Sequence, residues 1–211
     1  MNLSEMRALV RRDLHDEDAA NYRWSDDELD RHIQRAVREL SLAAPLEQKA
    51  LLTTTAGSRD LSLASLTGRV TVDAVEFPVD QYPLVYAGFS LWGDTLTLLI
   101  DSAPAAAESV RAYYGGLHIL DESSSTLPAS LEDVVATGAA GYAALEWASF
   151  ATNRVNVGGS ETWRDYLVWG EQRLAAFAAA LARYGRRSAV RVGRLYTPAL
   201  SPDVQTADLQ P

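Results

Sequence analysis

Leu3, Met6, Leu9, Val10 and Leu14 recur at three- and four-residue intervals, which puts them on one face of a helix. Asn2, followed three residues later by Glu5, has the spacing of a capping box. The period lapses at His15-Asp16-Glu17-Asp18, read as a carboxylate-bearing loop face that runs on through Asn21-Tyr22-Arg23. The next helix signals its start more sharply. Ser25 and Glu28 make a full capping box, and Trp24 and Leu29 occupy the two positions of a hydrophobic staple. Asp26, Asp27 and Glu28 bring negative charge to the positive end of that helix. Leu29, Ile33, Ala36, Val37 and Leu40 then form one stripe, with Arg31, Arg35 and Arg38 off it, until Pro45 ends the run.

From Leu51 the period shortens to two. Leu51 to Thr55, Asp60 to Leu63, Val70 to Val72, Val75 to Phe77 and Ser109 to Tyr114 read as short strands, and Tyr82-Pro83 opens another extended run. Phe89-Ser90-Leu91-Trp92, Gly93-Asp94 and Thr95-Leu96-Thr97-Leu98 make a hairpin with Gly-Asp at its turn. Helical bulk returns with Leu131, Val134, Val135, Tyr142, Leu145 and Trp147, with Thr126 or Ser130 as the expected cap. Small residues at Gly138-Ala139-Ala140-Gly141 let another helix approach closely. After a loop at 153–159, Ser160 is placed to cap a long last helix carrying Trp163, Tyr166, Trp169 and Phe177, with Gly185 as its stop.

The pattern predicts an α+β fold: mainly a helical bundle with an inserted antiparallel β region and an extended C-terminal arm. The body covers 1–185, with helices over 2–15, 25–44, 129–152 and 160–184 and the β insert over 50–115; the arm covers 186–211. Arg186, Arg187, Arg191 and Arg194 mark the arm, and no acid occurs between Gln172 and Pro202. Val190, Val192, Leu195 and Tyr196 add apolar anchors to a segment too short to fold alone, and prolines discourage regular structure. Two readings stand here: a frayed terminus, or an arm that orders on a neighbour.

Composition narrows the chemistry. No cysteine is present, so disulfides, thiolate metal sites and cysteine nucleophiles are excluded. The three histidines, His15, His32 and His118, are not paired at metal-ligand spacing. His118, near Asp121-Glu122, reads as a solvated or strand-end histidine rather than half of a catalytic dyad. No nucleophile elbow, phosphate-cradling glycine loop, zinc-protease helix or calcium loop occurs, so no catalytic or metal residue and no cofactor is expected. Apolar runs fall far short of the roughly 20 residues of a membrane span, and neither a membrane partner nor a secretory signal is expected. A net charge of −9 argues against gripping nucleic acid with the whole surface.

Three stretches taken in order resemble the head–tail adaptor (connector) proteins of tailed bacteriophages and related proviruses. They are Tyr22-Arg23-Trp24-Ser25-Asp26-Asp27-Glu28-Leu29, then Tyr113-Tyr114-Gly115-Gly116-Leu117-His118, then Thr126-Leu127-Pro128 leading to Gly138-Ala139-Ala140. The resemblance spans roughly Leu3 to Leu181. It implies a structural protein rather than an enzyme. It further implies that neighbouring copies form a ring, commonly a dodecamer, seated beneath the portal protein, that genomic DNA passes through the channel without sequence-specific binding, and that the ring offers a surface to the next neck or tail protein. The implied location is the virion neck between capsid and tail, after synthesis in the host cytoplasm. A C-terminal segment that engages the portal corresponds by position to the arm, with Arg186, Arg187, Arg191, Arg194, Leu195 and Tyr196 as candidate contacts. Two alternatives remain: another neck or tail-completion protein, or a DNA-binding regulator that uses the Arg-rich tail.

Overall fold

In the computed structural model of the protein, which describes residues 1–105, 107–151 and 162–185, helix α1 (Leu3–Asp13) opens on a reciprocal cap. The Asn2 side chain accepts the Glu5 N–H, and the Glu5 carboxylate accepts the Asn2 N–H, both at 2.9 Å. Helix α2 (Asp26–Ala43) starts the same way. Ser25 Oγ accepts the Glu28 N–H at 3.3 Å, and Glu28 accepts the Ser25 N–H at 2.7 Å. Trp24 and Leu29, on either side of that cap, are both buried in one core cluster.

Helix α3 (Ala129–Ala151) is the centre of the bundle, with α1, α2 and α4 (Thr162–Tyr184) all packed against it. Its buried residues are mostly small and are not confined to one stripe, as befits a helix with neighbours on several sides. Gly138 and Gly141 let α4 in. A Cβ at Gly138 would stand 3.0 Å from three atoms of the Phe177 ring, and one at Gly141 would stand 2.9 Å from Leu174. The helix starts after Pro128, which puts Ser130 inside it. Thr126 does not cap it either; its hydroxyl accepts the Ile119 N–H at 2.8 Å.

Between α2 and α3 lies a two-layered β insert. One antiparallel sheet has the order β1-β6-β3, from β1 (Leu46–Thr53), β6 (Ser109–Gly116) and β3 (Arg69–Glu76). The other has the order β2-β5-β4, from β2 (Asp60–Ser62), β5 (Thr95–Leu99) and β4 (Gly88–Trp92). Leu52, Leu61, Leu63, Val75, Leu96, Leu98 and Val110 fill a second core between the sheets, separate from the bundle's. The β4–β5 turn sets Gly93 at φ 57°, the first central position that a type II′ hairpin reserves for glycine.

The sheets correct three expectations. β1 begins at Leu46, ahead of the expected insert start at 50, because Pro45 ends α2 and leads directly into the ladder with β6. β3 is one strand with register shifts at Arg69/Thr71 and Val72/Ala74 rather than two strands. Residues 81–85 are not a strand. The chain there forms a corner between the layers, where Phe77 N–H donates to Val85 O at 3.1 Å and Ala87 N–H donates to Val75 O at 2.8 Å.

Candidate docking surfaces

Two carboxylates that the hydrophobic pattern does not distinguish organise the surface loops. Asp16, read from sequence as part of a solvated loop face, is buried. It accepts Arg11 Nη1 at 2.7 Å and the Arg23 N–H at 2.7 Å. Arg11, also buried, spans the corner: its Nη2 donates to Trp24 O at 3.0 Å and to Asp26 Oδ1 at 2.7 Å, and Tyr22 lies over its guanidinium at 3.6 Å. The Arg11 bond holds the Asp26 carboxyl below its usual range. Below this corner the Trp24 indole N–H donates to Ala143 O at 3.2 Å, with Trp147 and Tyr166 edge-on to the ring. Trp24 and Leu29 thus sit in the bundle core, and Ser25 and Glu28 form the exposed cap beside it.

The second carboxylate stands at the end of the insert farthest from the bundle. Leu46, Gly116 and Arg69 meet in register at the bundle end, so Thr53, Ser109 and Glu76 lie at the opposite end, about 25 Å along an eight-residue strand. Glu76 is fully buried. It accepts Arg111 Nη1 at 3.0 and 2.9 Å, the Tyr113 hydroxyl at 2.7 Å and the Asp80 N–H at 2.8 Å. Burial opposes its ionisation, but the hydrogen bonds from Tyr113, Asp80 and Arg111 outweigh that and hold its carboxyl below the usual range. Arg111 also donates to Asp80 Oδ1 at 2.8 Å. The loop pinned in this way presents Tyr82, 99% exposed, with Leu84, Val85 and Tyr86; Leu51 and Leu99 add exposed apolar surface at the same end. This is an apolar tip on a fixed loop, and a loop already held in shape has less entropy to lose on docking.

At the bundle end a cleft of about 340 Å3 separates the insert from the helices. Ala44, Leu46, Leu131 and Tyr184 give it apolar walls, and Glu47 and Asp73 give it two carboxylates. His118 closes one side. It lies just past β6 but is buried rather than solvated: its N–H donates to Ser41 Oγ at 2.9 Å, and its ring nitrogens lie 3.2 Å from Thr126 O and 3.1 Å from Ala44 O. His32 is likewise buried, against Glu146, and burial pushes its pKa down more than that carboxylate raises it. Among the described residues no group of three His, Asp or Glu side chains is arranged to hold a metal ion, and no helix is long and apolar enough to cross a membrane. The arm contacts Arg186, Arg187, Arg191, Arg194, Leu195 and Tyr196, and the Ser160 cap, lie outside the described residues.

The family described as "SU10 adaptor protein" matches residues 1–201. No curated protein matches. Among solved structures, a chain from "Neck of empty GTA particle computed with C6 symmetry" is 17% identical, with 92% of this chain and 91% of that chain covered and a TM-score of 0.30. A chain from "Neck of native GTA particle computed with C12 symmetry" is 18% identical, with 89% and 92% covered and a TM-score of 0.27. The geometric overlap with both is slight, and the family match carries the reading that follows.

Proposed function

Because the chain belongs to the SU10 adaptor family, we propose that it is a structural head–tail adaptor, one subunit of a ring seated beneath the portal of a tailed bacteriophage or related provirus. The ring, a dodecamer in this reading, extends the DNA channel and offers a docking surface to the next neck or tail protein. It works in the virion neck after synthesis in the host cytoplasm. The body, 1–185, supplies the surfaces, and the arm, 186–211, engages the portal through Arg186, Arg187, Arg191, Arg194, Leu195 and Tyr196. The match over residues 1–201 is the observation that carries the proposal.

Two features of the body support it. A closed ring joins each copy to the next through two different patches. The apolar tip of the insert and the bundle-end cleft are two such patches, at opposite ends of the insert. The acidic balance also suits a wall along which DNA slides. The chain total is −9, and the arm, with four arginines against two aspartates, leaves the body more acidic still.

The test is reconstitution. Purified protein mixed with assembled portal is expected to bind as a ring in electron micrographs, and a chain ending at Gly185 is expected to remain folded but not attach. If the full chain does not associate with portal, the adaptor reading falls. Attachment to tail components instead would favour a tail-completion protein. Salt-sensitive duplex binding without portal binding would favour the DNA-binding alternative.

A further inference from the structure

Three exposed aliphatic side chains gather where β6 hands the chain back to the bundle. Over 117–120 exposure alternates as in an extended chain: Leu117 and Ile119 face out, His118 and Leu120 face in. This segment lies along α2, since the His118 N–H donates to Ser41 Oγ at 2.9 Å and Gln34 Nε2 donates to Leu120 O at 2.7 Å. Gln34, Arg38 and Leu42 are spaced by four residues and form one ridge of α2 beside it. Leu42 is 61% exposed and Ile119 54%. Arg38, also exposed, has no ion pair among the described residues, whereas Arg31 and Arg35 on the same helix are paired with Glu146 and Glu39. Because His118 closes one side of the bundle-end cleft, this surface is the outer rim of that cleft.

The far end of the insert is its complement. Tyr82, Leu84, Val85 and Tyr86 are apolar and exposed. Asp101, just past β5, and Glu108, just before β6, bring carboxylates to the same end, and neither has an ion pair among the described residues. One end of the body thus joins aliphatic surface to a free guanidinium, and the other joins aromatic and aliphatic surface to free carboxylates. Apolar anchors beside an arginine are the usual composition of an interface core.

We propose that in the ring the apolar tip of one copy seats on the Leu42–Leu117–Ile119 surface of the next, with Arg38 toward Asp101 and Glu108. The proposal rests on the ring reading and names the contact that closes it. It has a geometric consequence. Rotation about the ring axis keeps two touching patches at equal height and equal radius. Tip and rim lie about 25 Å apart along the strands, so the insert runs around the ring and not along its channel.

The absence of cysteine makes a cross-linking test clean. Full-length Gln81→Cys and Leu117→Cys chains are mixed, assembled on portal and treated with a short thiol-reactive bifunctional linker. Dimers holding one chain of each kind are expected, and a chain with both substitutions is expected to give a ladder of linked copies. Arg38→Glu and Leu42→Asp change only exposed positions, so circular dichroism should show both variants folded. Each is expected to weaken self-association at least about tenfold. The Arg38→Glu effect should shrink in about 1 M salt, where the screening length falls to about 3 Å. Rings that form undiminished with both variants would overturn the proposal and leave the ring reading standing. So would linkage of Gln81→Cys chains to one another only, because tip would then meet tip. A wild-type chain that stays monomeric with and without portal overturns both.

Discussion

Replacing Arg11 with methionine tests whether the α1–α2 corner is held by buried charge. The side chains of Arg11 and Asp16 are each 6% exposed, and their ion pair measures 2.7 Å. Methionine keeps the apolar stem but leaves the Asp16 carboxylate with backbone N–H groups as its other partners, at 2.7 Å from Arg23 and 3.4 Å from Trp24. Removing one member of a buried pair typically costs about 3–5 kcal/mol, because the other charge stays in the interior unpaired. The lost contact to the more exposed Asp26 adds less than about 1 kcal/mol. Asp16 sits on a loop that can partly turn toward water, so the low end applies, and the expected loss is about 3 kcal/mol. Arg12→Met is the control. Arg12 is on the same helix but 71% exposed, with Glu17 at 3.8 Å, and its loss should cost no more than about 0.5 kcal/mol. Urea titration followed by tryptophan fluorescence reads both. With a slope of about 2–3 kcal/mol per molar, Arg11→Met lowers the midpoint by about 1 M. Adding Asp16→Asn to Arg11→Met should recover part of the loss, with a coupling energy of at least about 1 kcal/mol. If Arg11→Met is no more harmful than Arg12→Met, burial is not what gives the pair its value.

Three further outcomes are expected. Ser25→Ala removes the side-chain acceptor at the start of α2 and should cost about 1 kcal/mol in thermal or urea unfolding; an unchanged melt would show the cap to be idle. Gly138→Ala gains up to about 1 kcal/mol of helix propensity. It also drives a Cβ to 3.0 Å from the buried Phe177 ring, where overpacking costs about 1–3 kcal/mol, so net destabilisation is expected and a stabilised variant would refute the close approach of α3 and α4. Asp121 accepts hydrogen bonds from the hydroxyls and backbone N–H groups of Ser123 and Ser124, which hold its carboxyl down to about 2. Because the folded-state pKa is the lower one, that turn's contribution is present above the ordinary carboxylate pKa and is lost as pH falls toward 2; an NMR titration midpoint near 4 would contradict it.

What the sequence discloses divides by range. The caps at Asn2 and Ser25 are local, three residues from end to end, and are legible without any tertiary knowledge. The Gly93-Asp94 hairpin is legible for the same reason, since turn chemistry fixes its register. The pairing of β1 with β6 is not: those strands are more than fifty residues apart, and alternation says which face is apolar but not which strand lies alongside. Asp16 and Asp18 look alike in the sequence, yet one is buried by an arginine on the preceding helix and the other stays exposed. His118 is hidden for a similar reason, because its partners Ser41, Ala44 and Thr126 come from two other parts of the chain. Of the two candidate surfaces, the tip had a hint in the run Tyr82-Pro83-Leu84-Val85-Tyr86, which is too apolar for an ordinary solvated loop. The cleft had none, since its walls come from five separate elements and the connections between them.

Both surface-organising carboxylates solve the same physical problem. A carboxylate can accept several donors at once, so one buried acid ties together separate segments of the chain. Asp16 joins α1 to the backbone that leads into α2, and Glu76 joins β6 to the Asp80 turn. Each also fixes the base of a loop that carries an exposed tyrosine, Tyr22 in the first case and Tyr82 in the second. Ordering a loose residue costs about 1–2 kcal/mol of backbone entropy, and a loop that folds only on contact incurs that cost at each docking event. Here the ordering is completed within the folded subunit. That arrangement suits a protein whose work is to meet other surfaces, and it sets the buried ion pairs of Asp16 and Glu76 beneath loops while the helical core is built mainly from apolar side chains.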